Sequence, residues 1–496
     1  MKKEEIDFSL ISDEKVKLFH QMENTNETMY ITGRAGTGKS YLLDFFVKNT
    51  EKSVAVLAFT GMAAMNVNGQ TIHSFFRIPP IDKNTGLPSE LVPQNLNIDQ
   101  RTKYLLRHTD TIVIDEASMV SSALLNAIDI KMKLAHDNDL PFGGKQIILF
   151  GDLYQLPPVA NSQTNRYLTD TYGSVYFFAT PALQQLPFKI YELKEIFRQK
   201  EQFFIDILNN VRTGKITQEN IDKLNERHEP LNPYQRCLTI VPTNRAADEI
   251  NARKLDMLDG KEYIYEAEIS GNFKESSFPT DIYLNLKVGA QVIILVNDID
   301  IISSDEHDRG KRWCNGTLAI VSELGDDYIK VMVNGVEHHL DKFRWSMGEY
   351  RYDEKEKKLT TTPKATFTQF PIKLAWAITI HKAQGQTYQS VAVDLDEGAF
   401  AAGQAYVALS RCVAFDNLYL NRPVKFDDII VSQEIVEFMK TIENEHKNDI
   451  DNIDISYMSD ISNEKIDELS KEIDKLSNNE LSKLIEKLNK LKEQQR

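Results

Sequence analysis

Short apolar runs recur along the first 160 residues. "TMYITG" (28–33), "SVAVLAFT" (53–60), "DTIVIDEAS" (110–118) and "KQIILFGD" (145–152) each end in a small or polar residue. They are apolar on both faces rather than alternating, which predicts buried strands of a parallel sheet. Helical stretches such as "KSYLLDFFVKN" separate them. A second set follows, with "RCLTIVPTN", "AWAITIH" and "SVAVDL" as strands and "RAADEINARKL" and "GQAYVALSRC" as helices. Strands alternating with helices predict an α/β fold of two doubly wound domains.

Three stretches break this texture. Residues 79–100 are Pro-rich, polar and non-periodic, and predict a loop or small excursion. Residues 266–360 read as short strands, with Asn334–Gly335 as a hairpin turn, and predict a small β-barrel inserted in the second domain. The expected boundaries are 1–190 for the first domain, 191–265 with 361–430 for the second, and 266–360 for the insertion. Residues 431–496 are expected to form an acidic linker and a helical tail. There Ile466, Leu469, Ile473 and Leu476, then Leu481, Leu484, Leu488 and Leu491, follow helical spacing, with Ser477 and Glu480 as a capping box between them. These two helices fit either a hairpin docked on the body or a partner-binding coiled coil.

Composition narrows the class. The 496 residues are 42% hydrophobic and 26% charged, as in ordinary globular proteins. No apolar stretch is long enough to span a membrane, and "MKKEEIDFSL" has no apolar leader core, which predicts a cytoplasmic protein. Cys237, Cys314 and Cys412 are far apart, so neither a zinc site nor a disulfide framework is expected. The net charge of −15 argues against bulk electrostatic binding of nucleic acid. Residues 431–496 carry 16 acidic and 10 basic residues, so part of that charge lies outside the two domains, and a local basic channel remains compatible with it.

The chemistry begins at "GRAGTGKS", a G-x-x-x-x-G-K-[ST] loop between a strand and a helix. Gly33, Arg34, Ala35, Gly36, Thr37 and Gly38 would turn backbone N–H groups around phosphates at a helix N-terminus. Lys39 would reach the β- and γ-phosphates, and the Ser40 hydroxyl would ligate Mg²⁺. In "IVIDEAS", Asp115 would hold Mg²⁺ and Glu116 would orient and polarise the attacking water. Several classes of nucleotide enzyme share this loop. A GTPase would carry an N-K-x-D base-reading motif, which is absent, and a small-molecule kinase would not need a second α/β unit.

Which nucleotide enzyme this is follows from six segments in order: "LAFTGMAAMNVNGQTIHSFF", "DLPFGGKQIILFGDLYQLPPV", "ELKEIFRQ", "PTNRAADEIN", "AITIHKAQGQTY" and "GQAYVALSRC". Together they resemble the motif set of the Pif family of superfamily 1B DNA helicases, over residues 28–420. The resemblance implies two RecA-like domains, ATP as the nucleotide and 5′-to-3′ movement on single-stranded DNA, with forks and duplexes as partners. It places Arg198 and Arg411 as arginine fingers, Gln155 as a γ-phosphate sensor and Gly385 at the nucleotide. It places Thr60, Thr71 and His73 in the first domain, and Thr243, Asn244, His381 and Lys382 in the second, along the strand. Phe75 and Phe76 could stack bases, but core packing is the favoured reading.

The chain departs from that pattern at Lys15, where the family often has an adenine-reading Gln, with Gln21 nearby but off register. That leaves adenine selectivity open. Ala383 stands for a frequent Ser and Arg34 for a frequent Pro. The resemblance also implies that residues 79–100 split the duplex and that the insertion closes over the strand. A poorly unwinding, protein-stripping translocase, a RecD-like recombination helicase and a non-catalytic nucleotide switch are the rival readings. The monomer is the expected form. DNA repair, recombination, telomere maintenance, G-quadruplex removal and phage replication are all compatible settings.

Overall fold

The computed structural model describes residues 6–445, except Pro80, Pro187, residues 229–236, Lys274, residues 299–311 and residues 396–397. The two amphipathic helices expected beyond residue 465 therefore lie outside the described residues.

The first domain is a six-stranded sheet. Its strands are β1 (Met29–Gly33), β2 (Val54–Ala58), β3 (Gln70–Thr71), β4 (Thr111–Asp115), β5 (Gln146–Phe150) and β6 (Lys189–Leu193). They run parallel in the order β3-β2-β4-β5-β1-β6. β1, β4 and β5 are buried at every position, because helices cover both faces. This order brings the carboxyl ends of β1, β4 and β5 side by side, where ligands of open α/β sheets bind. β6 completes the sheet and ends at Leu193, so the first domain reaches past the expected boundary at 190. The run "KIYEL" is interrupted by Lys189 and Glu192, which is why it does not read as a continuous apolar strand.

The second domain is a parallel sheet ordered Ala377–Thr379, Leu238–Val241, Val391–Val393 and Leu418–Leu420. Its core includes Phe204, Leu238, Ile240, Val391 and Val407, and it also takes in Ala35 and Leu156 from the loops of the first domain.

The insertion is larger than expected, with strands from Tyr263 to Leu374. A five-stranded antiparallel ladder runs Val336–Leu340, Ile329–Val333, Leu318–Leu324, Gln291–Ile294 and Ile372–Leu374. Among the described residues this ladder is open, not closed into a barrel by hydrogen bonds. Asn334 and Gly335 both take positive φ (49° and 85°), the turn that "NG" predicts. A long hairpin, Phe343–Asp353 with Lys358–Gln369, projects from the insertion. It lies against the first domain, where Tyr350 accepts a hydrogen bond at Oη from the Val56 N–H (3.0 Å) and Glu349 pairs with Arg101 (2.7 Å).

The expected linker after residue 430 is instead, in its first part, a helix of the body. Gln433–Glu445 packs Ile435 and Met439 into the first-domain core, and Phe438 stacks on Phe178 with centroids 4.1 Å apart. Acidic Glu434 and Glu437 dilute the apolar stripe, so composition hides it. No helix of the described residues is long and apolar enough to cross a membrane.

Candidate nucleotide site and strand track

The phosphate loop bridges β1 and the helix Lys39–Asn49. Gly36 (φ 84°) and Gly38 (φ 82°) have left-handed backbones that a side chain would strain. A Cβ on Gly36 would also lie 2.4 Å from the Arg198 Cβ. The loop is thus a cradle that requires glycine. Lys39 Nζ donates to the carbonyls of Gly33 (2.6 Å) and Arg34 (3.1 Å), and burial holds its ammonium below the usual range. Ser40 is exposed at the start of the helix.

Asp115 ends β4, and burial, with the neighbouring Glu116 charge second, pushes it up to about 7. Glu116 is forced into a left-handed conformation (φ 50°, ψ 47°), which costs about 1–3 kcal/mol for a residue with a side chain. Its carboxylate accepts from Gln384 Nε2 of the second domain at 2.9 Å, beside Gly385.

Gln155 is buried in the turn after β5, with its N–H donating to the Asp152 carbonyl (2.9 Å). Gly403 of the second domain presses on this turn. A Cβ there would meet the Gln155 carbonyl oxygen at 2.4 Å. Arg198 Nη1 donates to the Ser410 carbonyl (3.1 Å). Arg411 is fully buried and donates to the carbonyls of Val407 (2.8 Å) and Gln386 (3.1 Å). Burial lowers both guanidinium pKa values, and for Arg198 the charge of Arg411 is the next cause. Tyr406 Oη accepts from the Ala35 N–H at 2.9 Å, tying the second domain to the phosphate loop.

Sequence reasoning passed over several of these groups. Gln384, Tyr406 and Gly403 lie inside quoted motifs but had no assigned task. Asp152 was visible as the acid closing "KQIILFGD", but its partner Arg212 lies in a helix with no motif. The two meet in a buried bidentate ion pair, with Nη2 3.0 Å from Asp152 Oδ1. Such pairings are not legible from sequence distance.

The strand candidates share one local design. Thr60, Thr71 and Thr243 each cap a helix that follows a parallel strand, accepting from the N–H of Ala63 (3.2 Å), Ser74 (3.3 Å) and Ala246 (3.2 Å). Asn244 is exposed, as are His381 and Lys382. His73 lies 3.9 Å from Glu90 of the 79–100 segment. Phe75 and Phe76 are buried in the first-domain core, as favoured from the sequence. Lys15 is buried and packs over the Phe197 ring (4.3 Å), within 3.1 Å of a Cβ built on Gly38. Gln21 is turned away, bonded to Glu27 at 2.6 Å.

This donor set fits a triphosphate with Mg²⁺. Lys39, Arg198 and Arg411 bring three cations with depressed pKa values to one cleft, and an anionic ligand would relieve their mutual cost. Asp115 and Ser40 are few donors for a metal, as expected for Mg²⁺, which keeps water and phosphate oxygens in its shell. Among the described residues no cluster of three or more His, Cys, Asp or Glu could hold a metal by itself.

Two RecA-like domains with a phosphate loop on one, and the Arg198 backbone packed against Gly36 of that loop, define a nucleotide-driven motor. The PIF1-like helicase family model matches residues 10–222. The ATP-dependent DNA helicase Pif1 of Bdellovibrio bacteriovorus is 31% identical, with 84% of this chain and 89% of that protein covered. Pif1 from Bacteroides sp. in complex with ADP-AlF4 is 33% identical, covers 88% of this chain and 97% of that one, and superposes with a TM-score of 0.78. Bacteroides Pif1 bound to ssDNA, at 34% identity and the same coverage, superposes with a TM-score of 0.62. The chain belongs to the PIF1-like helicase family.

Proposed function

We infer that this chain is an ATP-dependent DNA helicase that moves 5′ to 3′ on a single strand and unwinds the duplex ahead of it. The contacts of the second domain with the phosphate loop and its acid, Tyr406 with Ala35, Gln384 with Glu116 and Arg198 against Gly36, carry the reading, because they make domain closure and triphosphate binding one event. Family relatives support it.

In this reading the loop amides of residues 33–38 and Lys39 bind the phosphates of ATP. Ser40 and Asp115 would hold Mg²⁺, which would supply neutralisation of phosphate charge. Glu116, aimed by its strained backbone and by Gln384, polarises the attacking water. Gln155 reads the γ-phosphate without adding charge. Arg198 and Arg411 stabilise charge developing on the transferred phosphoryl group.

The strand would run across the capped helix ends. Each capping Thr hydroxyl accepts from its helix and keeps its own proton to donate to a phosphate. Thr60, Thr71 and His73 would grip it on the first domain, and Thr243, Asn244, His381 and Lys382 on the second. Contacts of this kind carry no sequence information, which suits translocation. The 79–100 segment would split the duplex, since Ile81 and Leu87 stay exposed at its tip beside the Ile81–Pro88 bridge.

Matched forks test the reading. With ATP, a fork bearing a free 5′ single strand should be unwound and its 3′-tailed counterpart should not. A preference for the 3′ tail would overturn the polarity, and DNA-stimulated hydrolysis without strand separation would identify a translocase.

A further inference from the structure

We propose that Arg212 is a positioning residue that carries the movement of the second domain to the γ-phosphate sensor through Asp152. The inference rests on reading Gln155 as that sensor.

Asp152 lies at the foot of the sensor turn and is fully buried. Its carbonyl accepts from the Gln155 N–H (2.9 Å) and its Oδ1 from the Tyr154 N–H (3.2 Å), so the carboxylate sets the shape of the turn. Arg212 comes from the other domain, in the last turn of the helix Gln202–Thr213, whose Phe204, Leu208 and Val211 belong to the second-domain core. Its Nε lies 3.2 Å from both carboxylate oxygens and its Nη2 lies 3.0 Å from Oδ1. The guanidinium also covers the Tyr154 ring at 4.4 Å and approaches Glu192 Oε1 at 3.6 Å.

A buried ion pair is weak evidence for stability, since desolvation offsets most of the attraction. What the planar fork supplies is orientation. Rotation of the helix turns the guanidinium plane, the carboxylate must follow, and the backbone of Tyr154 and Gln155 is bonded to that same residue. Gly403 presses on the same turn from the second domain, so the turn is held from two sides. Arg212 reaches no phosphate in this scheme. It sets where Gln155 stands when the cleft closes.

The test is Arg212→Lys in the full chain, which keeps the charge and loses the fork. ATP-analogue affinity and single-strand affinity should stay within about threefold of wild type, while DNA-stimulated kcat falls by about tenfold or more. If Arg212→Lys is not soluble, the Asp152→Asn/Arg212→Gln double variant removes both buried charges together. The two single variants and the double should show the same kcat loss, because the pair acts as one unit. Unchanged kcat in folded protein, or loss of nucleotide affinity in step with kcat, would overturn the proposal. Gln155→Ala separates the two readings. A tenfold fall in DNA-stimulated kcat in Gln155→Ala beside a wild-type-like Arg212→Lys would leave the sensor standing and refute the Arg212 link. A wild-type-like Gln155→Ala beside an impaired Arg212→Lys would refute the sensor and, with it, this route.

Discussion

Glu116 shows how much tertiary structure one residue can need. Its left-handed backbone is strained, and the bond from Gln384 fixes its carboxylate across 268 positions of sequence. A glutamate held this firmly tolerates little change. Glu116→Gln should bind ATP yet lose DNA-stimulated hydrolysis by about a hundredfold or more, as expected when a general base is removed. Lys39→Ala should lose hydrolysis through weakened binding of the phosphates, seen as a fall in nucleotide affinity. Near-wild-type turnover in either variant would show the site to be misassigned. At this scale the sequence carried most of the candidate site. Lys39 opens the helix after the phosphate loop, and Asp115 and Glu116 stand at the end of β4, all within local motifs. Asp152–Arg212, Glu116–Gln384 and Ala35–Tyr406 did not show, because each joins groups far apart in the chain with no shared motif.

Among the elements, the 79–100 segment and the helix Gln433–Glu445 lead to different expectations. Ile81 and Leu87 are exposed and belong to none of the nucleotide motifs. Ile81→Ser with Leu87→Ser should therefore reduce fork unwinding several-fold while single-strand-stimulated ATP hydrolysis stays near wild type. Equal loss of both would mean that the segment supports the domain rather than the fork. Ile435 is the opposite case. It is 2% exposed and fills the first-domain core. Ile435→Ala should cost about 2–5 kcal/mol of that domain's stability, read from denaturant unfolding. A cost near zero would mean that the helix is not held by its apolar face. Continuous apolar runs made β1, β2, β4 and β5 legible. β6 is interrupted by Lys189 and Glu192, and this helix is acidic on its open face, so neither could be read without knowing what it packs against.

Across the whole molecule, the balance of charge bears on how DNA is held. The chain carries −15, and the strand candidates are mostly hydroxyls, an amide and imidazoles, with Lys382 as the one ammonium among them. Few counterions would then be released on binding. The slope of log Kobs against log salt for a single-stranded oligonucleotide should be shallower than about −3. A slope near −6 or steeper would point to a cationic surface that these residues do not form. The sequence by itself determined the phosphate loop, the acidic strand end, the α/β class and the family resemblance, because each depends on residues close together in the chain and on periodicity. Only the tertiary structure decided how the domains meet. It brought Arg212 to Asp152, laid the long hairpin on β2 and returned the helix after residue 432 to the first domain. Those contacts join surfaces far apart in sequence, and their energy depends on shape and desolvation, which no local pattern records.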